Sequence, residues 1–146
     1  AELIELRAAF YIPLCLLAGC ISTHQSAADS TSAMSWSPEN PAEIRFRNSD
    51  TVSPRDISIL LHHSGKAAPD SITLHILSHS PAGSVLRDTF AVRLERNSLT
   101  SDIILTRHIL LSDTLLPETG EYVFEIAPSE ATRGVWGAGL DFSKTK

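Results

Sequence analysis

Gly120-Glu121-Tyr122-Val123-Phe124-Glu125-Ile126 decides the fold. Tyr122, Phe124 and Ile126 fall on one parity, and Glu121, Val123 and Glu125 on the other, which is the period of a strand with one buried face. Gly120 permits the turn conformation that precedes it. The same period recurs upstream. Ile44 and Phe46 alternate with Glu43, Arg45 and Arg47, and Ile57, Ile59 and Leu61 with Ser58 and Leu60. Ile72, Leu74 and Ile76 alternate with Thr73, His75 and Leu77, and Phe90, Val92 and Leu94 with Ala91 and Arg93. Ile103 to Leu111 is a longer apolar run broken by Thr106, Arg107 and His108. Downstream, Trp136, Ala138, Leu140 and Phe142 share one parity, with Gly137 and Gly139 on the other.

Turn signals separate these segments, among them Ser53-Pro54, Ser64-Gly65, Ala68-Pro69-Asp70, Ser80-Pro81-Ala82-Gly83, Leu116-Pro117 and Arg133-Gly134. Ser80-Pro81 is expected to end its strand early and leave His79 in the turn. No sustained helical stripe follows the first twenty residues. About seven short strands at close spacing predict an all-β domain over residues 42–146, an antiparallel β-sandwich of Ig-like or jelly-roll-like type.

The N-terminal part reads differently. An apolar run from Ala8 to Leu17 follows Arg7 and ends in Leu17-Ala18-Gly19-Cys20. The run is about half the ~20 residues that a membrane-spanning helix needs, and its length suits a signal-peptide core. Pro13 inside it disfavours a stable helix. A small-residue box just before a cysteine is the pattern of a bacterial lipoprotein signal. Residues 1–19 are therefore expected to be cleaved, and Cys20 to carry diacylglycerol, the one attached group expected, with no other cofactor. Two or three acyl chains, at about 0.8 kcal/mol per buried CH₂, would anchor the chain stably. The Ser-, Thr- and Ala-rich span 20–41 is expected to be a flexible tether, with Trp36 docking on the domain edge. Ile21-Ser22-Thr23 carries no acidic cluster, which points to a periplasm-facing lipoprotein.

The net charge of −5 disfavours nucleic acid or an anionic membrane surface as a partner. Cys15 leaves with the signal and Cys20 is consumed by lipid, so no disulfide is expected. Six histidines raise the question of a metal. His62 and His63 are adjacent and point to opposite sides of a strand, His24 lies in the tether and His108 stands apart, so no converging ligand set of the kind zinc needs is expected. There is no Gly-x-Ser-x-Gly elbow and no catalytic cysteine, and Ser64-Gly65-Lys66 lacks the context of a phosphate loop. These features predict a protein that is not an enzyme. Gly137 and Gly139 on one strand face leave a flat strip that another backbone can approach closely. Trp36, Trp136, Gly137 and Gly139 form the predicted partner-contact surface.

The lipobox cysteine, a Trp before the first strand, Asp50-Thr51, Ser80-Pro81-Ala82-Gly83 followed by Asp88-Thr89, the Gly120–Ile126 stretch and a closing Gly137-Ala138-Gly139-Leu140 occur in this order. In that order the chain resembles the gliding-motility lipoprotein H family of the Bacteroidota from about Trp36 onward. It departs from the family at Ala68-Pro69-Asp70-Ser71, where an aromatic segment is usual, and between Glu95 and Ser101, where a Trp-Gly-Gly-Asp-type loop is usual. The resemblance implies a lipid-anchored accessory of the gliding and type IX secretion apparatus, with other envelope proteins as partners. A carbohydrate- or ligand-binding β-sandwich lipoprotein is the alternative, and it would need exposed aromatic side chains arranged as a platform.

Overall fold

The described residues form eight strands: β1 (His24–Ser30), β2 (Ala42–Asn48), β3 (Arg55–Ser64), β4 (Ser71–His79), β5 (Val85–Arg93), β6 (Ile103–Thr114), β7 (Gly120–Pro128) and β8 (Val135–Lys144). The computed structural model describes residues 24–30, 35–96 and 103–145, with the backbone alone for 24–30. The signal segment 1–19 and Cys20 lie outside the described residues. Among the described residues no helix is long and apolar enough to cross a membrane.

The strands form two antiparallel four-stranded sheets, β1-β8-β3-β6 and β2-β7-β4-β5. Every connection except the β4–β5 hairpin crosses from one sheet to the other. That order is the double-sheet arrangement of a jelly roll, and it resolves the expected sandwich to one of its two types. All seven expected strands are present. Between the sheets, Phe46 of β2 stacks on Phe142 of β8 at 4.0 Å between ring centroids, and Phe124 of β7 tilts against Phe142 at 5.6 Å. Ile44, Ile59, Leu61, Leu74, Ile126 and Leu140 complete the fully buried centre. These are the same-parity residues of their strands, so the alternating pattern is the packing pattern.

Three details depart from expectation. The span expected to be tether contains β1, whose seven residues pair with β8 from His24↔Ser143 to Ser30↔Gly137. A strand added at a sheet edge is held by main-chain hydrogen bonds, which need no apolar alternation, so His-Gln-Ser-Ala-Ala-Asp-Ser carries no strand signature. Trp36 goes further than the domain edge: it is fully buried, its indole N–H donates to the Asn40 carbonyl at 3.0 Å, and its backbone exchanges two 2.8 Å bonds with Thr132. His79 is the last residue of β4, paired with Val85 and Val123, because the turn begins only at Ser80.

Strand direction sorts the loops into two ends. Residues 49–54, 80–84 and 115–119, the start of β1 and the end of β8 lie at one end. Residues 35–41, 65–70, 94–96 and 129–134 lie at the other.

Candidate partner-binding face

The outer face of the β1-β8-β3-β6 sheet carries two of the four predicted contact residues, Gly137 and Gly139, with Trp136 at the adjoining bulge. On β3, Ile57, Ile59, Leu61 and His63 are buried inward, so Ser58, Leu60 and His62 face outward. Register then aligns cross-strand rows on the outer face: Leu105–His62–Gly137, Arg107–Leu60–Gly139 and Ile109–Ser58–Asp141. Gly137 and Gly139 thus take the outward parity of β8, between β1 and β3, as the sequence pattern suggests, but Gly137 is only partly exposed and Gly139, like Ser58 and Asp141 in the neighbouring row, is buried.

Trp136 occupies a bulge. His62 pairs with Gly137 while His63 pairs with Val135, so Trp136 is the extra residue on β8. The bulge moves Val135 into the core at 1% exposure and leaves Trp136 partly exposed, outside the parity shared by Ala138, Leu140 and Phe142. The β8 pattern alone would have buried Trp136. Trp36 contributes nothing to this face, because it lies in the core. The two tryptophans therefore do not make a common platform.

The face's apolar content comes from β6, which holds none of the predicted contact residues. Ile103 is 63% exposed, Leu105 49% and Ile109 53%. All three share the outward parity of β6, which is one of the two edge strands of its sheet and pairs only with β3. The signal was available: Ile103, Leu105 and Ile109 alternate with Ile104, Thr106 and Leu110, so the run is apolar on both parities, and one of those faces had to be left uncovered at an edge. Arg107 interrupts the row and reaches over β3 to Asp141 of β8, with Nη2 to Oδ2 at 2.6 Å. Asp141 is 1% exposed and Arg107 roughly half exposed, so the carboxylate is sunk in the sheet and the cation sits at the surface.

Behind β6 the sheet edge is held by a buried polar set. His63 is fully buried. Its Nδ1–H donates to the Ser64 carbonyl at 2.9 Å, since a carbonyl only accepts, and its Nε2 accepts from the Thr106 hydroxyl at 2.6 Å. Thr106 Oγ1 in turn accepts the Glu95 N–H at 2.9 Å. Every ring nitrogen of His63 is thereby satisfied within the fold.

Two grooves hold clustered polar groups. One, about 500 Å³, lies between the β5 and β6 edges and is lined by Asp70, Arg93, Glu95, Arg96, Arg107 and His108, among others. Arg96 is committed there to loop stapling: Nε meets Asp70 at 2.6 Å, and Nη2 donates to the Ala68 carbonyl at 2.8 Å. The other, about 370 Å³, lies on the outer face of the opposite sheet and includes His75, Arg87, Asp88, Thr89 and Glu125. His75 Nδ1 and Thr89 Oγ1 are 3.0 Å apart, and His79 Nε2 and Glu125 Oε2 are 3.3 Å apart. Among the described residues no three His, Cys, Asp or Glu side chains converge as a metal site would require.

No protein-family model matches the chain, and no curated protein does. Among solved structures, the VP2 subviral particle of infectious bursal disease virus aligns at 14% identity and TM-score 0.37 over 83% of this chain. This chain spans about a third of that one, with 33% of it covered. The Yersinia pseudotuberculosis-derived mitogen aligns at 9% identity and TM-score 0.36, covering 86% of this chain and 89% of the mitogen. A carbohydrate-binding module of the β-sandwich superfamily aligns at 14% identity and TM-score 0.34, covering 86% of this chain and 57% of the module.

Proposed function

We propose that this chain is a lipid-anchored, non-enzymatic component of the bacterial cell envelope that docks another envelope protein on the outer face of its β1-β8-β3-β6 sheet. The observation that carries the reading is the uncovered row of Ile103, Leu105 and Ile109 on the outward face of the edge strand β6. Apolar side chains grouped on one face suit burial against a protein partner. The lipobox at Leu17–Cys20 supplies the anchor. An anchor confines both molecules to a surface and raises their effective concentration. The resemblance to the gliding-motility lipoprotein H family makes the gliding and type IX secretion apparatus the first place to look for that partner.

Crosslinking in the native host, followed by mass spectrometry, tests the reading. Wild-type chain should capture a discrete envelope partner, and Leu105→Asp with Ile109→Asp should lose it while folding normally. Equal capture by the variant would remove the face from consideration. Parallel mass spectrometry of the purified chain should find acyl groups on Cys20, absent from Cys20→Ser.

A second reading, a carbohydrate- or ligand-binding lipoprotein, draws on the groove lined by His75, Arg87, Asp88, Thr89 and Glu125, whose donors and acceptors suit a hydroxylated ligand. Calorimetric titration with cell-wall and host glycans, repeated with Arg87→Ala, separates it from the first.

A further inference from the structure

We infer that the end of the sandwich built from residues 49–54, 80–84 and 115–119 lies against the lipid bilayer, so that the domain stands on the membrane with its β1-start end down. The inference rests on the anchored reading of Cys20 and extends it to an orientation.

Register carries the first part of the argument. β1 places His24 opposite Ser143 at this end of the fold. Cys20 stands four residues earlier in the chain. Even fully extended, that link is about 14 Å long. The polar zone of a bilayer is about 5–8 Å deep on each side. A lipid on Cys20 therefore has no long tether to swing on, and this end of the domain is held at the headgroups.

Surface chemistry carries the second part independently. Val52 is 80% exposed, Leu86 63%, Val85 52% and Leu115 52%. Val52 and Leu115 sit in loops of this end, and Val85 and Leu86 open β5 just after the hairpin turn. Two of the acidic side chains here are engaged: Asp50 pairs with Lys144 at 3.3 Å, and Asp56 Oδ1 accepts from the Asp113 N–H and the Thr145 hydroxyl; Asp113 is exposed and Glu118 partly so. The opposite end presents Glu39, Lys66, Asp70, Glu95, Glu130 and Arg133. Its loops show no exposed large apolar side chain among their described residues, although Ile103, 63% exposed, opens β6 at that end as Val85 and Leu86 open β5 at the first. One end suits the boundary between headgroups and acyl chains, and the other suits water.

Depth measurement tests this. The full chain, carrying Cys15→Ser, is produced in a host that processes lipoproteins and is reconstituted in phosphatidylethanolamine–phosphatidylglycerol vesicles. Single cysteines replace Val52, Leu86, Leu115 or, as controls, Lys66 and Glu130, and each carries an environment-sensitive fluorophore. Labels at 52, 86 and 115 should shift to the blue and be quenched by spin-labelled lipid, and those at 66 and 130 should do neither. Acylated Cys20 with unquenched labels at 52, 86 and 115 would overturn the orientation and leave the anchor standing. Quenched labels without acylation would uphold the orientation and remove the anchor. Quenching at 66 and 130 alone would invert the assignment.

Discussion

At single positions, backbone conformation and local hydrogen bonding set what the chain tolerates. Gly134 has φ +77, and a Cβ there would lie 2.8 Å from the backbone nitrogen of Ala68. Gly134→Ala is therefore strained twice and should cost more than about 1 kcal/mol in urea unfolding; an unchanged midpoint would mean that the 65–70 loop shifts freely. Asp50 behaves differently. The Ser53 hydroxyl, then the backbone N–H groups of Ser53 and Val52, and more weakly Lys144, hold its carboxyl well below the usual carboxylate range. The native state then binds fewer protons than the unfolded chain across that range, so its contribution is complete above the unfolded pKa of about 4 and is lost as pH falls below it. Asp50→Asn keeps an acceptor for the same N–H groups but cannot titrate, so its stability should fall less steeply below that pH than wild type; parallel acid limbs would remove Asp50 as a contributor. Of the individually chosen residues, Gly137 and Gly139 were legible on β8 because parity alone places them. Trp36 and Trp136 were not: one is set by a bridge to Thr132 far along the chain, the other by a bulge, and neither leaves a local signature.

Among the elements, β6 is the strand on which the surface argument turns. Its apolar residues were plain in the sequence, but their exposure depends on β6 ending its sheet, which no local pattern encodes. The edge is blunted by its own irregularity: Ile57 pairs with Leu111 and Ser58 with Ile109, so Leu110 is an extra residue and the strand twists away there. Arg107 adds a charge in the middle of the apolar row and ties β6 to β8 across β3 through Asp141. Because Asp141 is sunk in the sheet, Arg107→Ala takes a cation from a carboxylate that cannot turn to water. The expected loss is about 1–3 kcal/mol, discounted toward the lower end because Arg107 itself is half exposed. Asp141→Asn should cost less, and the double variant should cost less than the sum of the two, which a double-mutant cycle by chemical denaturation measures directly. Strict additivity would show that the two side chains are independent despite their 2.6 Å approach.

For the whole molecule, period-two patterning made the sandwich and seven of its strands readable, because each of those strands buries one face. Strand order was not readable, since the same alternation serves Ig-like and jelly-roll sandwiches. The eighth strand was hidden because β1 is joined through its backbone. Its contribution is decided by magnitudes. Seven residues of ladder supply hydrogen bonds of about 0.5–1.5 kcal/mol net each, against about 1–2 kcal/mol of backbone entropy for each residue ordered. Those terms come close to cancelling, so β1 adds little to the free energy of the sandwich by its ladder alone. What it does is take over the edge position from β8. Without it, β8 would present unpaired N–H and C=O groups beside Gly137 and Gly139, a flat template for pairing with another chain. A chain beginning at Ser35 should therefore unfold at nearly the same urea concentration as one beginning at Cys20, yet shift to dimers and larger species as concentration rises, read by sedimentation velocity. A large drop in the urea midpoint would mean that β1 is integral to the core. A monomer at all concentrations would mean that the β8 edge protects itself. The same strand begins at one end of the sandwich, so under the proposed anchoring the strand that covers β8 would also set how the domain meets a membrane.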